Sequence, residues 1–157
     1  MWTALAILAA YILVDALSGI YHFATDKGFN IQSQIQMFQE HHNTNTMQGF
    51  DWQTFAVALP IVGVGAWFHS PFWIACGIFA ALTQVTHYYA HVNSRSKLMH
   101  HIVRVLQLTR IIVPRESHQR HHSPPHDRDY CLLSGWNNWW MNGLLNMLDH
   151  FWIVRFN

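Results

Sequence analysis

Charge is what this 157-residue chain has least of: only 11% of it is Asp, Glu, Lys or Arg, while 51% is hydrophobic. That balance excludes an ordinary soluble domain of this size and fits a small polytopic membrane protein of one domain, residues 1–157. Cysteine is nearly absent too. Cys76 lies in the middle of an apolar run and Cys131 is far from it, so neither a structural disulfide nor a CxxC thiolate site is expected. Both read as small buried hydrophobes. No basic residue precedes Lys27, which removes the basic head of a secretory signal. Trp2 to Phe23 is instead long enough to span a bilayer, which takes roughly 20 residues, and is expected to be a retained transmembrane helix. HExxH and HxxEH are both missing, which excludes the helical zinc-peptidase signatures.

What is present is apolar and aromatic, with eight Trp and ten Phe. Three segments predict membrane-spanning helices, at residues 2–24, 52–68 and 71–91. A tight His69-Ser70-Pro71 turn joins the last two, with Pro71 placed to start a helix. The Gln-rich stretch 30–51 is amphipathic around Ile31, Ile35 and Phe38 and is expected to lie along the interface. So is 98–113, apolar at Ile102, Val103, Leu106 and Ile111 with His101, Arg104 and Arg110 interspersed. Pro114 opens a short helix that Pro124-Pro125 ends. In the last segment, 130–156, Asn137, Asn138, Asn142 and Asn146 favour an interfacial or re-entrant position over a fourth span. All nine Lys and Arg follow the first or third span, so three spans put every one of them on one side, the cytoplasmic side. The fold class predicted is all-α integral membrane, with three transmembrane helices, interfacial helices and a histidine-rich site on the cytoplasmic face.

Histidine is the residue in excess, with thirteen copies. Imidazole is the commonest ligand for iron, copper and zinc, and ionisable groups at membrane depth are functional by default. His22 sits near the cytoplasmic end of the first span, His87 and His91 near that of the third, and His41, His42, His118, His121, His122 and His126 in segments on the same face. His87 and His91 are four apart, as are His118 and His122, so each pair projects from one helical face. Neighbours on a helix diverge by about 100°, so His41 and His42, or His121 and His122, can divide between two ions. Asp26, one turn after His22, can ligate or orient it. Eight or more nitrogen ligands exceed the four of a structural zinc and imply two metals. A nitrogen-rich, two-metal site at the mouth of a helical bundle suits iron that activates O₂ against an unactivated C–H bond.

Five stretches then resemble a known family in order along nearly the whole chain: Asp15-Ala-Leu-Ser-Gly-Ile-Tyr-His22 with Asp26, Glu40-His41-His42, His87-Tyr-Tyr-Ala-His91, His118-Gln-Arg-His121-His122, and Tyr130-Cys-Leu-Leu-Ser-Gly-Trp136-Asn137. They are similar to the Kua, or plasmanylethanolamine desaturase, family of membrane lipid desaturases. That family includes the plastid enzyme acting on palmitate of phosphatidylglycerol. The resemblance implies a di-iron centre held by the matched histidines and Asp26, with O₂ as co-substrate. It implies a double bond introduced into an acyl or alkyl chain of a membrane phospholipid. It also implies an external electron donor of ferredoxin or cytochrome b5 type, and no nucleic acid partner. Asn43-Thr-Asn-Thr46 stands where family members carry a proline, and Phe50-Asp51-Trp52 and Arg110 where animal members carry histidines. These departures resemble the plastid branch. A hydroxylase on the same scaffold and a non-catalytic membrane metal-binding protein are the alternatives.

Other residues have plainer readings. His126, after Pro124-Pro125, is a ligand or a solvated loop histidine, and His69, His100, His101 and His150 fall outside the matched motifs. Asp15 is a substrate-channel or ligand-supporting group, or a packing residue hydrogen-bonded within the bundle. Arg95, Lys97, Arg104, Arg110, Arg115 and Arg120 suit a phospholipid head group or set topology alone. Trp136, Trp139 and Trp140 suit an aromatic belt, and Ser18 and Gly19 close helix packing.

Overall fold

In the computed structural model, residues 1–29, 32–44 and 52–156 are described, the side chains of 52–53 and 152–156 excepted. Among them the chain forms helices and no strand: α1 (Trp2–Asp26), α2 (Gln32–Thr44), α3 (Trp52–Trp67), α4 (Pro71–His91), α5 (Lys97–Leu108), α6 (Arg115–His121) and α7 (Asn138–Phe156). Ile31, Thr46, Phe50 and Asp51, which entered the sequence reading, lie outside the described residues.

Within α1 there is no proline, and glycine appears only at Gly19, so nothing interrupts its 25 residues. It buries a narrow stripe, Ala10, Val14, Asp15, Gly19, His22 and Phe23, and exposes Leu5, Leu8, Ile12, Leu17 and Ile20. Among the described residues it is the one helix long and apolar enough to cross a membrane. α3 is apolar but shorter, with Pro60 inside it. α4 has 21 residues, but Thr83, Gln84, Thr86, His87 and His91 make its second half polar. The two form a hairpin through the expected turn, with His69 at φ 49° and Ser70 preceding Pro71. Their backbones touch at glycines: a Cβ on Gly77 would stand 2.8 Å from the Ala58 carbonyl oxygen, and one on Gly65 2.5 Å from the Ile74 amide.

The expected helix at 98–113 stops at Leu108, because Thr109 caps it and Arg110 takes a left-handed φ of 55°. The last segment departs further from expectation. Helix α7 begins only at Asn138, and residues 128–137 form a non-helical strap buried against α1, α4 and α7. Tyr130 and Cys131 fill one apolar cluster with Phe23, Met141 and Leu145, while Leu133 joins Ala10, Val14, Ala75 and Cys76 in another. Buried irregular backbone must find partners for its polar groups. Here side chains supply them. Cys131 N–H donates to Asn138 Oδ1 at 3.0 Å, Leu132 N–H to Ser18 Oγ at 3.0 Å, and the Leu132 carbonyl accepts from Thr86 Oγ1. The Leu133 carbonyl accepts from Val113 N–H at 2.8 Å. Asp15, fully buried, accepts from the amides of Ser134 (2.7 Å), Gly135 (3.0 Å) and Asn137 (3.1 Å) and from Asn137 Nδ2 (3.0 Å). Gly19 lets the strap approach, since a Cβ there would meet Cys131 Sγ at 2.8 Å.

Candidate metal centre

The C-terminal ends of α1 and α4 meet the last turn of α2 and the short α6, and nine side chains converge in two groups. One is His41, His87, His91, His118 and His122; the other is His22, Asp26, His42 and His121. Helical divergence does what the spacing requires, since His41 and His42 fall in different groups, as do His121 and His122. Within each group the ligand atoms lie within 4.8 Å of one another. That is close to the span of one coordination sphere, because bonds to imidazole of about 2.0–2.1 Å place opposite ligands about 4 Å apart. The groups abut, with the His42 and His122 rings 4.6 Å apart and those of His41 and His42 5.8 Å apart.

Hydrogen bonds outside the cluster fix which nitrogens face inward. His22 Nδ1 lies 3.1 Å from the Tyr130 carbonyl and His121 Nδ1 2.8 Å from that of Arg128, both on the strap. A carbonyl accepts only, so each ring carries its proton on Nδ1 and turns an Nε2 lone pair into the site. Those two Nε2 atoms are 3.1 Å apart, and Asp26 Oδ2 stands 3.3 Å from one and 3.7 Å from the other. Three acceptors thus face one another, and Asp26 Oδ2 is buried with no hydrogen-bond donor. Repulsion of this kind is relieved by a cation among them, so the donor set fits a metal. The five-histidine group repeats the pattern. His118 Nε2 is 2.7 Å from His91 Nε2 and 3.1 Å from His122 Nε2, and His87 Nε2 is 3.0 Å from His41 Nε2.

On α6, burial holds the His118 imidazole well below its ordinary pKa, and the neighbouring His87 and His91 add to the effect. Burial does the same to His122, reinforced by His41 and His42. Both are therefore neutral at physiological pH, the state a metal ligand needs. Beside them burial pushes the Tyr130 phenol up, with the Asp26 carboxylate contributing, so it remains a donor, to the His126 carbonyl at 2.7 Å.

His126 stands next to the site and outside both groups, its Nδ1 2.9 Å from the His121 carbonyl and its ring 5.1 Å from that of His42. His69, His100, His101 and His150 are exposed and distant from both groups. The strap carbonyls and Asp15 are contributors that the histidine pattern did not reveal; the sequence signals for them were an acid two turns before His22 on its face and the matched stretch from Tyr130 to Asn137. Arg115 is another. Its guanidinium donates to the carbonyls of Ala90 (3.1 Å) and His91 and to Asn93 Oδ1 (2.7 Å), which ties α6 to the end of α4. Arg104 pairs with Glu116 at 2.7 Å and Arg120 with Asp129 at 2.9 Å, so three of the basic residues considered for a head group have protein partners. Trp136 packs edge-on against Tyr11, and Trp139 is exposed.

A helical bundle whose end carries two adjacent nitrogen-rich groups, each able to hold a metal ion, defines a histidine-rich class of candidate metal-binding protein. The chain belongs to the lipid desaturase domain family, whose profile matches residues 11–152. It is 34% identical over 152 residues to fatty acid desaturase 4, chloroplastic, of Arabidopsis thaliana, covering 86% of this chain and 46% of that protein. To the plasmanylethanolamine desaturase of Myxococcus xanthus it is 27% identical over 167 residues, covering 93% of this chain and 57% of the relative. Plasmanylethanolamine desaturase 1 of Mus musculus is 26% identical over 161 residues, with 86% and 58% covered. The chain spans about half the length of the curated relatives it matches. No solved structure matches it.

Proposed function

We propose that this chain is an integral membrane di-iron desaturase that introduces a double bond into an acyl or alkyl chain of a glycerophospholipid. The observation that carries the reading is the pair of abutting ligand groups, five histidines beside three histidines and a carboxylate, in a chain of the lipid desaturase family. His41, His87, His91, His118 and His122 would hold one iron, and His22, Asp26, His42 and His121 the other. Bound iron supplies the redox chemistry with O₂ that an unactivated C–H bond demands. The overall balance is that the lipid chain gives up two hydrogens, an external donor of ferredoxin or cytochrome b5 type provides two electrons, two protons come from solvent, and O₂ becomes two waters.

The protein's part is to hold neutral imidazoles and one carboxylate in fixed orientation and to keep water away. His22, His118 and His121 are fully buried, which serves that exclusion. The second group has four ligands against five, so it is the one with more room for a co-substrate, by the rule that catalytic metal sites keep an open position. His126 completes our proposed ligand set only as a flanking member, one ring away from His42. α1, α3 and α4 are proposed as the spans. α1 and α4 run parallel because both bring ligands from their C-terminal ends, and α3 is the return. The basic residues then put the site on the cytoplasmic or stromal face.

Iron quantitation on purified protein and lipid mass spectrometry of expressing cells test the reading. Two irons per chain and a lipid lighter by two hydrogens are expected. Gain of one oxygen would make the protein a hydroxylase, and zinc filling the site would dismiss the desaturase. His121→Ala should abolish product and leave at most one iron, whereas His126→Ala should retain both irons.

A further inference from the structure

We infer that Asp15 is a positioning residue for the four-ligand centre, acting at a distance through the buried strap. The inference rests on the two-metal reading above and adds a residue that carries no ligand atom in either group. Asp15 lies two helical turns before His22 on the same face of α1 and is wholly buried. A carboxylate so placed requires partners, and its four hydrogen bonds go to one ten-residue segment: the amides of Ser134, Gly135 and Asn137 and the side chain of Asn137. That segment returns to α1 through the Tyr130 carbonyl, which accepts from His22 Nδ1 at 3.1 Å. Two residues earlier the Arg128 carbonyl accepts from His121 Nδ1 at 2.8 Å. A closed loop of bonds therefore runs from Asp15 along the strap to His22 and back down the helix.

The strap also bonds Thr86 on α4 and Arg120 on α6, but the ligand rings it bonds directly, His22 and His121, belong to one centre. Two of the four residues in the second group take their tautomer from its carbonyls. In the five-histidine group, His118 and His122 have buried Nδ1 atoms with no hydrogen-bond partner, and their neighbours bond to them through Nε2. Loosening the strap should release the His22 and His121 rings and leave the other centre in place. Asp15→Asn does this with almost no change of volume. The amide keeps one acceptor oxygen but turns an NH₂ toward two N–H donors, so half of the four bonds are lost.

The test uses the full chain in lipid nanodiscs, loaded anaerobically with Fe(II) and challenged with an iron chelator, with Mössbauer spectra of each sample. Wild type should hold two irons. In Asp15→Asn one iron should become about 10–100-fold weaker, the range for lost ligand-orienting partners. One set of Mössbauer lines should vanish while helical content stays unchanged. Asn137→Ala, which removes only the side-chain donor, should weaken the same iron by less. Equal retention of both irons in Asp15→Asn would overturn the inference. If Asp15→Asn unfolds, Asn137→Ala decides, and parallel weakening of both irons there would overturn it too. Fewer than two irons in wild type would instead bring down the two-metal reading on which the inference stands.

Discussion

At the scale of the residue, the site is an arrangement of lone pairs made acceptable by position. Four-residue spacing made two histidine pairs legible, His87 with His91 and His118 with His122, because helical geometry ties that spacing to a shared face. It could not show which nitrogen of each ring points inward, since that depends on strap carbonyls, 108 residues from His22 and seven from His121, or on contacts between rings from different helices. Neutrality is the other half of the arrangement, and it has a pH consequence. The folded pKa of His118 is depressed by burial, first, and by His87 and His91. Above the unfolded value of about 6.5 the ring is neutral in both states and its contribution is complete. As pH falls below about 6.5 the unfolded chain takes up a proton that the folded chain refuses, so stability drops by about 1.4 kcal/mol per pH unit for such a ring. Metal-free protein should therefore show a level unfolding midpoint from pH 8 to 7 and a falling one from 6.5 downward. A midpoint that stays level to pH 5 would contradict the assignment.

At the scale of the element, apolar runs and terminators were legible and the strap was not. The third apolar segment coincides with α4, from Pro71 to His91, because proline fixes its start and the polar Asn93-Ser94 sequence follows its end. The first segment runs two residues further than its apolar pattern, to Asp26, where Oδ1 lies 3.1 Å from His42 Nε2. Tyr130 to Asn137 is as apolar as a helix would be, and only its partners, Asp15, Ser18 and Thr86 on other elements, reveal why it is not helical. The end of α4 depends in the same way on a distant residue. Its last carbonyls, Ala90 and His91, accept from the Arg115 guanidinium. Arg115→Ala should cost about 1–3 kcal/mol, the penalty for unsatisfied buried acceptors. It should also lower iron retention at the five-histidine centre first, because His91 and His118 sit on the two elements that it joins. Arg115→Lys should recover little of this, since an ammonium lacks the fork that reaches both carbonyls and Asn93. Thermal unfolding and chelator competition measure the two effects, and wild-type values for Arg115→Ala would refute the bridge.

At the scale of the whole molecule, the question is how the bundle sits in a bilayer. Convergence of His22 with His87 and of His41 with His91 requires α1 and α4 to end on the same side, which the single long apolar helix does not by itself dictate. In the proposed three-span topology the α3–α4 turn lies on the opposite side from α5. As a span, α3 would be short at about 24 Å against a hydrocarbon core of about 30 Å, so the bilayer would have to thin around it or flanking side chains reach out to the interface. The exposed residues at its turn, Trp67 and Phe68, fit an interfacial anchor there. Single new thiols make this measurable, because the native Cys76 and Cys131 are both buried and burial pushes the Cys131 thiol up, away from reactivity. In sealed vesicles, Ser70→Cys at the turn and Lys97→Cys at the start of α5 should react with a membrane-impermeant maleimide from opposite sides. Reaction from one side only would mean that the α3–α4 hairpin dips into the bilayer and returns, leaving α1 as the sole span and the metal centre held at the membrane surface.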